Sequence, residues 1–269
     1  MPHQPIAIAG TGRIANAMAT LLSRSGIQVA AVAGRDGISL IPSHANHILI
    51  AVSDDSIPHV AAELAAAGLR DSTIVHTSAG AGPEALTILR AAGNSIGVLH
   101  PLQTVPSAER GIETLPGATW AVAGDERATT WARELVSLLG GNVIAVDPHR
   151  WGLYHAAAVM ACNYQVTLVD AALELMEIAG INRVQALGAL GPILRATTEN
   201  ILLDGPEAAL TGPIRRGDIG TITKHLEALN TASPETRKLY VAAGLRTVPV
   251  AALPPAAANE LTNLLEKAT

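Results

Sequence analysis

Strands and helices alternate up to about residue 146 of this 269-residue chain, and only helices follow. That order predicts an α/β protein: a Rossmann doubly wound sheet over residues 1–147, then an all-α C-terminal domain over residues 148–269. Two further observations carry the prediction. The apolar run Ile6–Ala9 ends in Gly10-Thr11-Gly12 and passes directly into a helical pattern through Arg13, Ile14 and Ala15. From Arg150 onward no stretch has the short, turn-bounded pattern of a strand.

The first turn sets the function class. A strand, a glycine turn and a helix N-terminus in that order hold a dinucleotide pyrophosphate. Gly10 permits the turn, Gly12 lets the backbone approach the phosphates, and Ala15, in place of a third glycine, lets helix and strand pack closely. The helix N-terminus offers free N–H groups and its positive dipole end. Gly10, Thr11, Gly12, Arg13 and Ile14 are therefore candidate cofactor contacts; the alternative is an ordinary glycine-rich turn with nothing bound.

A helix over Asn16–Ser25 is ended by Gly26, a residue suited to the left-handed cap. Ile27–Ala33 is nearly all apolar, as a parallel strand covered on both faces requires. It runs into Gly34-Arg35. An arginine here pairs with a ribose 2′-phosphate, which favours NADP; NAD stays possible because Asp36 is one residue away, and Arg35 also reads as a solvated loop charge. The strand His47–Val52 leads to Ser53-Asp54-Asp55 at the ligand-binding edge of the sheet, adding Val52 and Ser53 to the candidate cofactor contacts. Asp55 or Ser56 suits a cap on the helix Ile57–Ala67. Thr73–His76 is a strand that opens into the small-residue turn Thr77–Gly82, which contains Ser78. Glu84–Ala92 is a helix, Ile96–Leu99 a strand ending at His100-Pro101, Ala118–Ala123 a strand, Glu126–Leu139 a helix and Asn142–Val146 the last strand. Helices over Trp151–Ala179, Arg183–Leu203, Thr221–Leu229, Glu235–Ala243 and Ala257–Lys267 follow, with Gly205–Asp218 as a Gly/Pro-punctuated connection.

Composition removes several classes. The net charge is -5 and aromatic residues make up 2%, which leaves neither a basic footprint nor stacking surface for nucleic acid. The single cysteine, Cys162, excludes an internal disulfide and a Cys-rich zinc site and fits a reducing, cytoplasmic setting. No basic-then-apolar leader is read at the N-terminus. The most apolar helix, near Ala156–Leu175, carries Asn163, Gln165, Asp170 and Glu174, so no membrane span is expected. His44 and His47 lie three apart with no carboxylate beside them, and no metal site is read.

The helix after the domain boundary carries the second candidate constellation. His155, Val159 and Asn163 fall at i, i+4 and i+8, one face of a continuous helix. Hydride transfer to a carbonyl needs a proton donor beside the oxygen, a role for His155, and a polar group to orient the substrate, a role for Asn163. Each also reads as a satisfied core polar group. His100 reads equally as a catalytic ring beside the cofactor or as a structural hydrogen bond. Ser78, Thr211, Arg216 and Asp218 are candidate substrate contacts, with Arg216 suited to a carboxylate; the alternative has Asp218 capping the next helix and Arg216 solvated.

These motifs together resemble the 6-phosphogluconate dehydrogenase-like superfamily, which includes ketopantoate reductase, pyrroline-5-carboxylate reductase and the 3-hydroxyacid dehydrogenases. His100-Pro101-Leu102-Gln103-Thr104, the run from His155 to Asn163, and Thr211–Asp218 are similar to one bacterial branch that pairs a Rossmann-like domain with a C-terminal domain of unknown function. The resemblance implies NADP-dependent reduction of a small keto acid or imine and a homodimer built on the helical domain. His155 stands where ketopantoate reductase has its lysine acid, and Val159 replaces the first of two asparagines. A non-catalytic dinucleotide sensor or scaffold, or a reductase that uses a deazaflavin as the other redox partner, are the rival readings.

Overall fold

Alternating burial organises the first unit around one sheet. In the strand β1 (Ile6–Ala9), Ile6 and Ile8 face one layer of helices and Ala7 and Ala9 the other, and all four are buried. The structure, a computed structural model, describes residues 4–34, 37–38, 41–42 and 45–268. Around β1 lie β2 (Val29–Ala33), β3 (His47–Ile50), β4 (Thr73–His76), β5 (Ser95–Pro101), β6 (Thr119–Gly124) and β7 (Asn142–Ala145), in the order β2-β1-β3-β4-β5-β6-β7. Strands β1 to β5 are parallel. The chain leaves β1 in one direction to β2 and returns on the other side to β3, so the strand order switches between β1 and β3. A crevice opens there, beyond the carboxyl ends of the strands.

One expectation about the sheet is corrected. β2 is not covered on both faces: it is the edge strand, alternates half-buried with exposed residues, and leaves Val32 42% exposed. An apolar run does not distinguish an edge strand from a central one. The sheet is mostly parallel; β6 runs antiparallel to β5 and parallel to β7. The connection from β5 to β6 holds a helix that the sequence pattern missed, α4 (Ala108–Thr114). Its Gly111 lies against Ala17 and Val105, where a Cβ would come within 2.9 Å of both side chains. That close approach lets α4 pack on α1 (Arg13–Arg24).

One face of the sheet is covered by α1, α4 and α5 (Glu126–Leu138), with Trp120, Leu22 and Leu135 at its centre. The other is covered by α2 (Ile57–Ala66) and α3 (Thr87–Ala91), with Ile48, Ile50, Leu64 and Leu86. The expected helix Glu84–Ala92 is a 3₁₀ turn over Pro83–Leu86 followed by α3.

By internal contacts the chain divides into Met1–Ala161 and Cys162–Thr269. The first unit therefore runs past the last strand and takes in α6 (Trp151–Ala161). Trp151 explains why. It is 3% exposed, packs with Val98, Ala121 and Ala123, lies against Gly82, and its indole N–H donates to the Ala79 carbonyl at 2.8 Å. This fastens the start of α6 to the sheet.

The expected single helix Trp151–Ala179 is interrupted at Cys162 (φ -114°, ψ -67°), and α7 (Asn163–Ile178) begins at the next residue. The same stretch, Pro148–Ile178, is long and apolar enough by length and composition to cross a membrane: an 18-residue window in it has mean hydropathy 1.3, and 6% of that window is buried. Polar interruptions alone did not lower its average enough. The polar groups of α7 have work of their own: Asp170 pairs with Arg183, and Glu174 accepts from the Ser233 N–H, the Ser233 hydroxyl and the Thr236 hydroxyl. The Thr236 hydroxyl, followed by the Ser233 N–H, holds the Glu174 carboxyl below the usual carboxylate range.

The second unit is all helical, as expected: α7, α8 (Arg183–Ala209), α9 (Gly212–Arg215), α10 (Ile219–Ala228), α11 (Pro234–Val250) and α12 (Pro255–Glu266). Helix α8 extends past Leu203 and kinks at Gly205 (φ 80°), so the connection read over Gly205–Asp218 is partly helical. The core of this unit is Ile222, Leu226, Val241, Val248, Leu261 and Leu265.

Trp151→Ala should destabilise the first unit by about 3–5 kcal/mol, the range for emptying a buried aromatic site. The check is the urea unfolding midpoint followed by far-UV circular dichroism.

Candidate functional site

A cleft of about 530 Å³ opens at the switch point in the first unit. Gly10, Thr11, Gly12, Arg13, Ile14, Val52 and Ser53 line one part of it, and Ser78 and His100 line another. The two glycines differ in kind. Gly10 has φ 137°, and a Cβ there would sit 2.2 Å from the Ala51 carbonyl oxygen, so the fold itself demands glycine. At Gly12 a Cβ would meet nothing closer than the same oxygen at 4.0 Å, with φ -76°. Packing does not require a glycine at position 12; what its missing side chain leaves open is the approach to the backbone from the cleft.

The first turn of α1 fits an anion. No side chain caps it, no acidic residue lies in it, and Arg13 occupies its first position. Ala15 is fully buried behind it. Free N–H groups at a positive dipole end suit a phosphate group, and the Arg13 guanidinium donates to the Pro106 carbonyl at 3.3 Å. Arg35, Asp36 and His44 lie outside the described residues.

The strand ends supply the other part of the cleft. Ser53 and Ser56 share a hydroxyl hydrogen bond of 2.8 Å, and no side-chain cap forms on α2, so neither Asp55 nor Ser56 plays that role. His76, at the end of β4, is fully buried. Its Nδ1 accepts from the Ser78 N–H at 3.2 Å, so Nε2 carries the proton and donates to the Gly82 carbonyl at 3.1 Å. Burial lowers its pKa to about 4. Both ring nitrogens are thus spent on shaping the Thr77–Gly82 turn, whose Ser78 hydroxyl accepts from the Ala81 N–H.

His100, at the end of β5, lines the cleft. Its Nδ1 is 2.7 Å from the Tyr154 hydroxyl. Burial first, then the neighbouring His155, lowers its pKa to about 4, while burial raises Tyr154 to about 12. His155 stands edge-on to His100 with ring centroids 6.4 Å apart, and its Nδ1 is buried without a hydrogen-bond partner. Tyr154 is the residue that sequence reasoning missed. It lies one turn after Trp151 and packs on it at 4.9 Å, so the tryptophan anchor sets where the hydroxyl falls. Tyrosine after an apolar residue carries no pattern of its own; the signal was its adjacency to His155.

The remaining predicted residues lie in the second unit. Asn163 opens α7 and is exposed. The argument that set His155, Val159 and Asn163 on one face assumed an unbroken helix and does not carry across Cys162. Asp218 caps α10: its carboxylate accepts from the Thr221 N–H at 2.9 Å and the Thr221 hydroxyl at 2.7 Å. Thr211 and Arg216 are exposed, and Arg215 donates to the Ala251 carbonyl. His47 stacks on Trp131 with centroids 4.7 Å apart, and burial lowers its pKa. Among the described residues, no group of three or more His, Cys, Asp or Glu side chains is placed to hold a metal ion.

A Rossmann-like unit followed by an all-helical unit is the fold class that the sequence predicts. Residues 118–247 match a family model described as a domain of unknown function, DUF2520. No protein of curated function matches the chain by sequence. Among solved structures it is similar to a Bacteroides fragilis protein provisionally assigned as an NADP oxidoreductase, with 20% identity and a TM-score of 0.73 over 92% of this chain and 98% of that one. It is similar to a reductive aminase from Aspergillus terreus in complex with NADPH, with 16% identity and a TM-score of 0.64 over 98% and 99%. It is also similar to a Plasmodium falciparum pyrroline carboxylate reductase with NADP bound, with 12% identity and a TM-score of 0.56 over 100% and 98%.

The lowered histidines give the protein an acid limb. Between pH 6.5 and 4, His76 stays neutral in the folded chain and takes a proton on unfolding, so stability falls as the pH drops through that window. The effect of His76 alone reaches about 3 kcal/mol, and His100 acts in the same direction. Urea midpoints measured at pH 7, 5.5 and 4.5 should decline in that order.

Proposed function

We propose that the protein is an NADP-dependent oxidoreductase that reduces a small carbonyl or imine compound. The observation that carries the reading is the uncapped α1 N-terminus behind Gly10-Thr11-Gly12, opening into a cleft whose other part is lined by Ser78 and His100. In this reading Thr11, Gly12, Arg13 and Ile14 hold the pyrophosphate, with Val52 and Ser53 beside the cofactor. Arg35 pairs with the 2′-phosphate; NAD is the alternative cofactor. Bound in the cleft, the dinucleotide supplies the hydride. The protein's own residues supply the proton and the orientation: His100 and His155 on the acid side, and Ser78 as a polar contact. A reducing cytoplasmic setting suits the free Cys162.

NADPH and NADH titrations followed by nicotinamide fluorescence test the reading, with 2-oxo acids and cyclic imines added afterwards. NADPH should bind more tightly than NADH. Gly12→Ala should weaken NADPH binding at least tenfold while changing stability by less than about 1 kcal/mol, because nothing in the fold fills that space. Arg35→Ala should weaken NADPH far more than NADH. Binding without turnover of any compound would favour a sensor, and failure to bind either nucleotide would remove both readings.

The same proposal includes a homodimer through the helical unit. Along α7 and α8, Val166, Leu168, Ile178, Val184, Leu187, Ile193, Leu202 and Leu203 are exposed, with Val184 at 84%, and only Ala186 of α8 is buried. A surface of this kind is an association site. Sedimentation equilibrium should give twice the 27.6 kDa chain mass without detergent, and Leu202→Asp with Val184→Asp should reduce it to one. Solubility only in detergent would favour a membrane as the partner.

A further inference from the structure

We propose that His100 and Tyr154 form a two-residue proton relay whose open end, His100 Nε2–H, faces the cleft. The inference rests on reading that cleft as a reductase site. Its basis is geometric. His100 lines the cleft from the end of β5, and its inner nitrogen, Nδ1, meets the Tyr154 hydroxyl at 2.7 Å. The phenol comes from α6, fastened to the sheet by the Trp151 indole N–H and the buried Trp151 ring. Two elements far apart in sequence therefore hold one hydrogen bond.

The direction of that bond follows from acidity. A phenol is a far stronger acid than a neutral imidazole N–H, so Tyr154 donates and the Nδ1 lone pair accepts. This fixes the tautomer: the ring's own proton is on Nε2. The ring is neutral near pH 7, because the groups around it are His155, His76, Asp54 and Tyr154, and burial outweighs the single carboxylate among them. A neutral ring donates from Nε2 without burying a charge in the cleft.

The proton steps balance. As negative charge develops on a substrate oxygen or nitrogen, the Nε2–H bond breaks and that proton joins the substrate atom. The phenol O–H bond breaks and its proton joins Nδ1. The ring ends neutral but as the Nδ1–H tautomer, and Tyr154 is left as tyrosinate until a solvent proton arrives at Nε2 and the Nδ1 proton returns to the phenolate oxygen. Burial makes tyrosinate a strong base, yet it remains weaker than an alkoxide, so the transfer runs toward the substrate. His155 differs from His100 in having no partner to orient it: its Nδ1 is buried and unpaired.

The test reads the histidine directly. Long-range ¹H–¹⁵N spectra of the ¹⁵N-labelled full chain should show His100 as the Nε2–H tautomer at pH 7 and still neutral at pH 5.5. Tyr154→Phe should move the His100 Nδ1 resonance and leave those of His76 in place. With NADPH and the panel of 2-oxo acids and cyclic imines, Tyr154→Phe should lower kcat tenfold or more with NADPH affinity and unfolding midpoint unchanged, and His100→Asn should lower it further. An Nδ1–H tautomer, an unmoved resonance or an unchanged kcat would overturn the relay while leaving the reductase reading intact. If the wild-type chain binds neither NADPH nor NADH, the reductase reading fails and the relay fails with it.

Discussion

The backbone of Gly10 passes so close to the Ala51 carbonyl that no side chain fits between them. Much of the first unit depends on that contact. It allows β1 to end in a turn beside β3, where the sheet changes direction, and it aims the first turn of α1 into the crevice. The Gly10 N–H donates to the Ala33 carbonyl, and Ala51 donates to the Ala9 carbonyl, so the turn is held from both neighbouring strands. A side chain at position 10 would force β1 and β3 apart and close or misalign the cleft. Gly12 has no such duty within the fold, and the difference separates a glycine kept for architecture from one that leaves room for a ligand.

A second contact fixes what faces that cleft. Trp151 fills the space against β5 and β6 and donates to the carbonyl of Ala79 in the turn after β4. His76 ties the same turn from below through Gly82 and Ser78. One indole and one imidazole thus tie the turn and the start of α6 to the sheet edge. Tyr154 and His155, three and four residues beyond the tryptophan, are delivered next to His100 as a consequence. Three histidines and a tyrosine gather at the carboxyl edge without forming a charged cluster, because burial keeps His76 and His100 neutral near pH 7.

The second unit relies on different forces. Glu174 accepts three hydrogen bonds at the start of α11, and Asp218 caps α10, so carboxylates define where its helices begin. Its core is aliphatic and lies among α10, α11 and α12, while α7 and α8 keep long apolar stretches outside it.

The sequence by itself determined the alternation of strands and helices, the glycine turn and the change to helices near residue 147. These are local properties: periodicity, chain reversal and the backbone freedom of glycine act over a few residues, and a pattern can express them. The fold class and the residues of the glycine turn were legible for that reason. The edge position of β2, the reversed β6, the break at Cys162 and the small packing helix α4 were not, because each is set by what lies alongside in space. The site divides in the same way. His100 and His155 could be named from the sequence as candidates, but their relation to each other could not. Only the tertiary structure decided that His76 is a structural tie, that Asp218 is a cap and that Tyr154 belongs beside His100. Hydrogen-bond partners and burial depend on residues far apart in the chain, 72 positions in the case of Trp151 and Ala79, and no spacing rule carries that information.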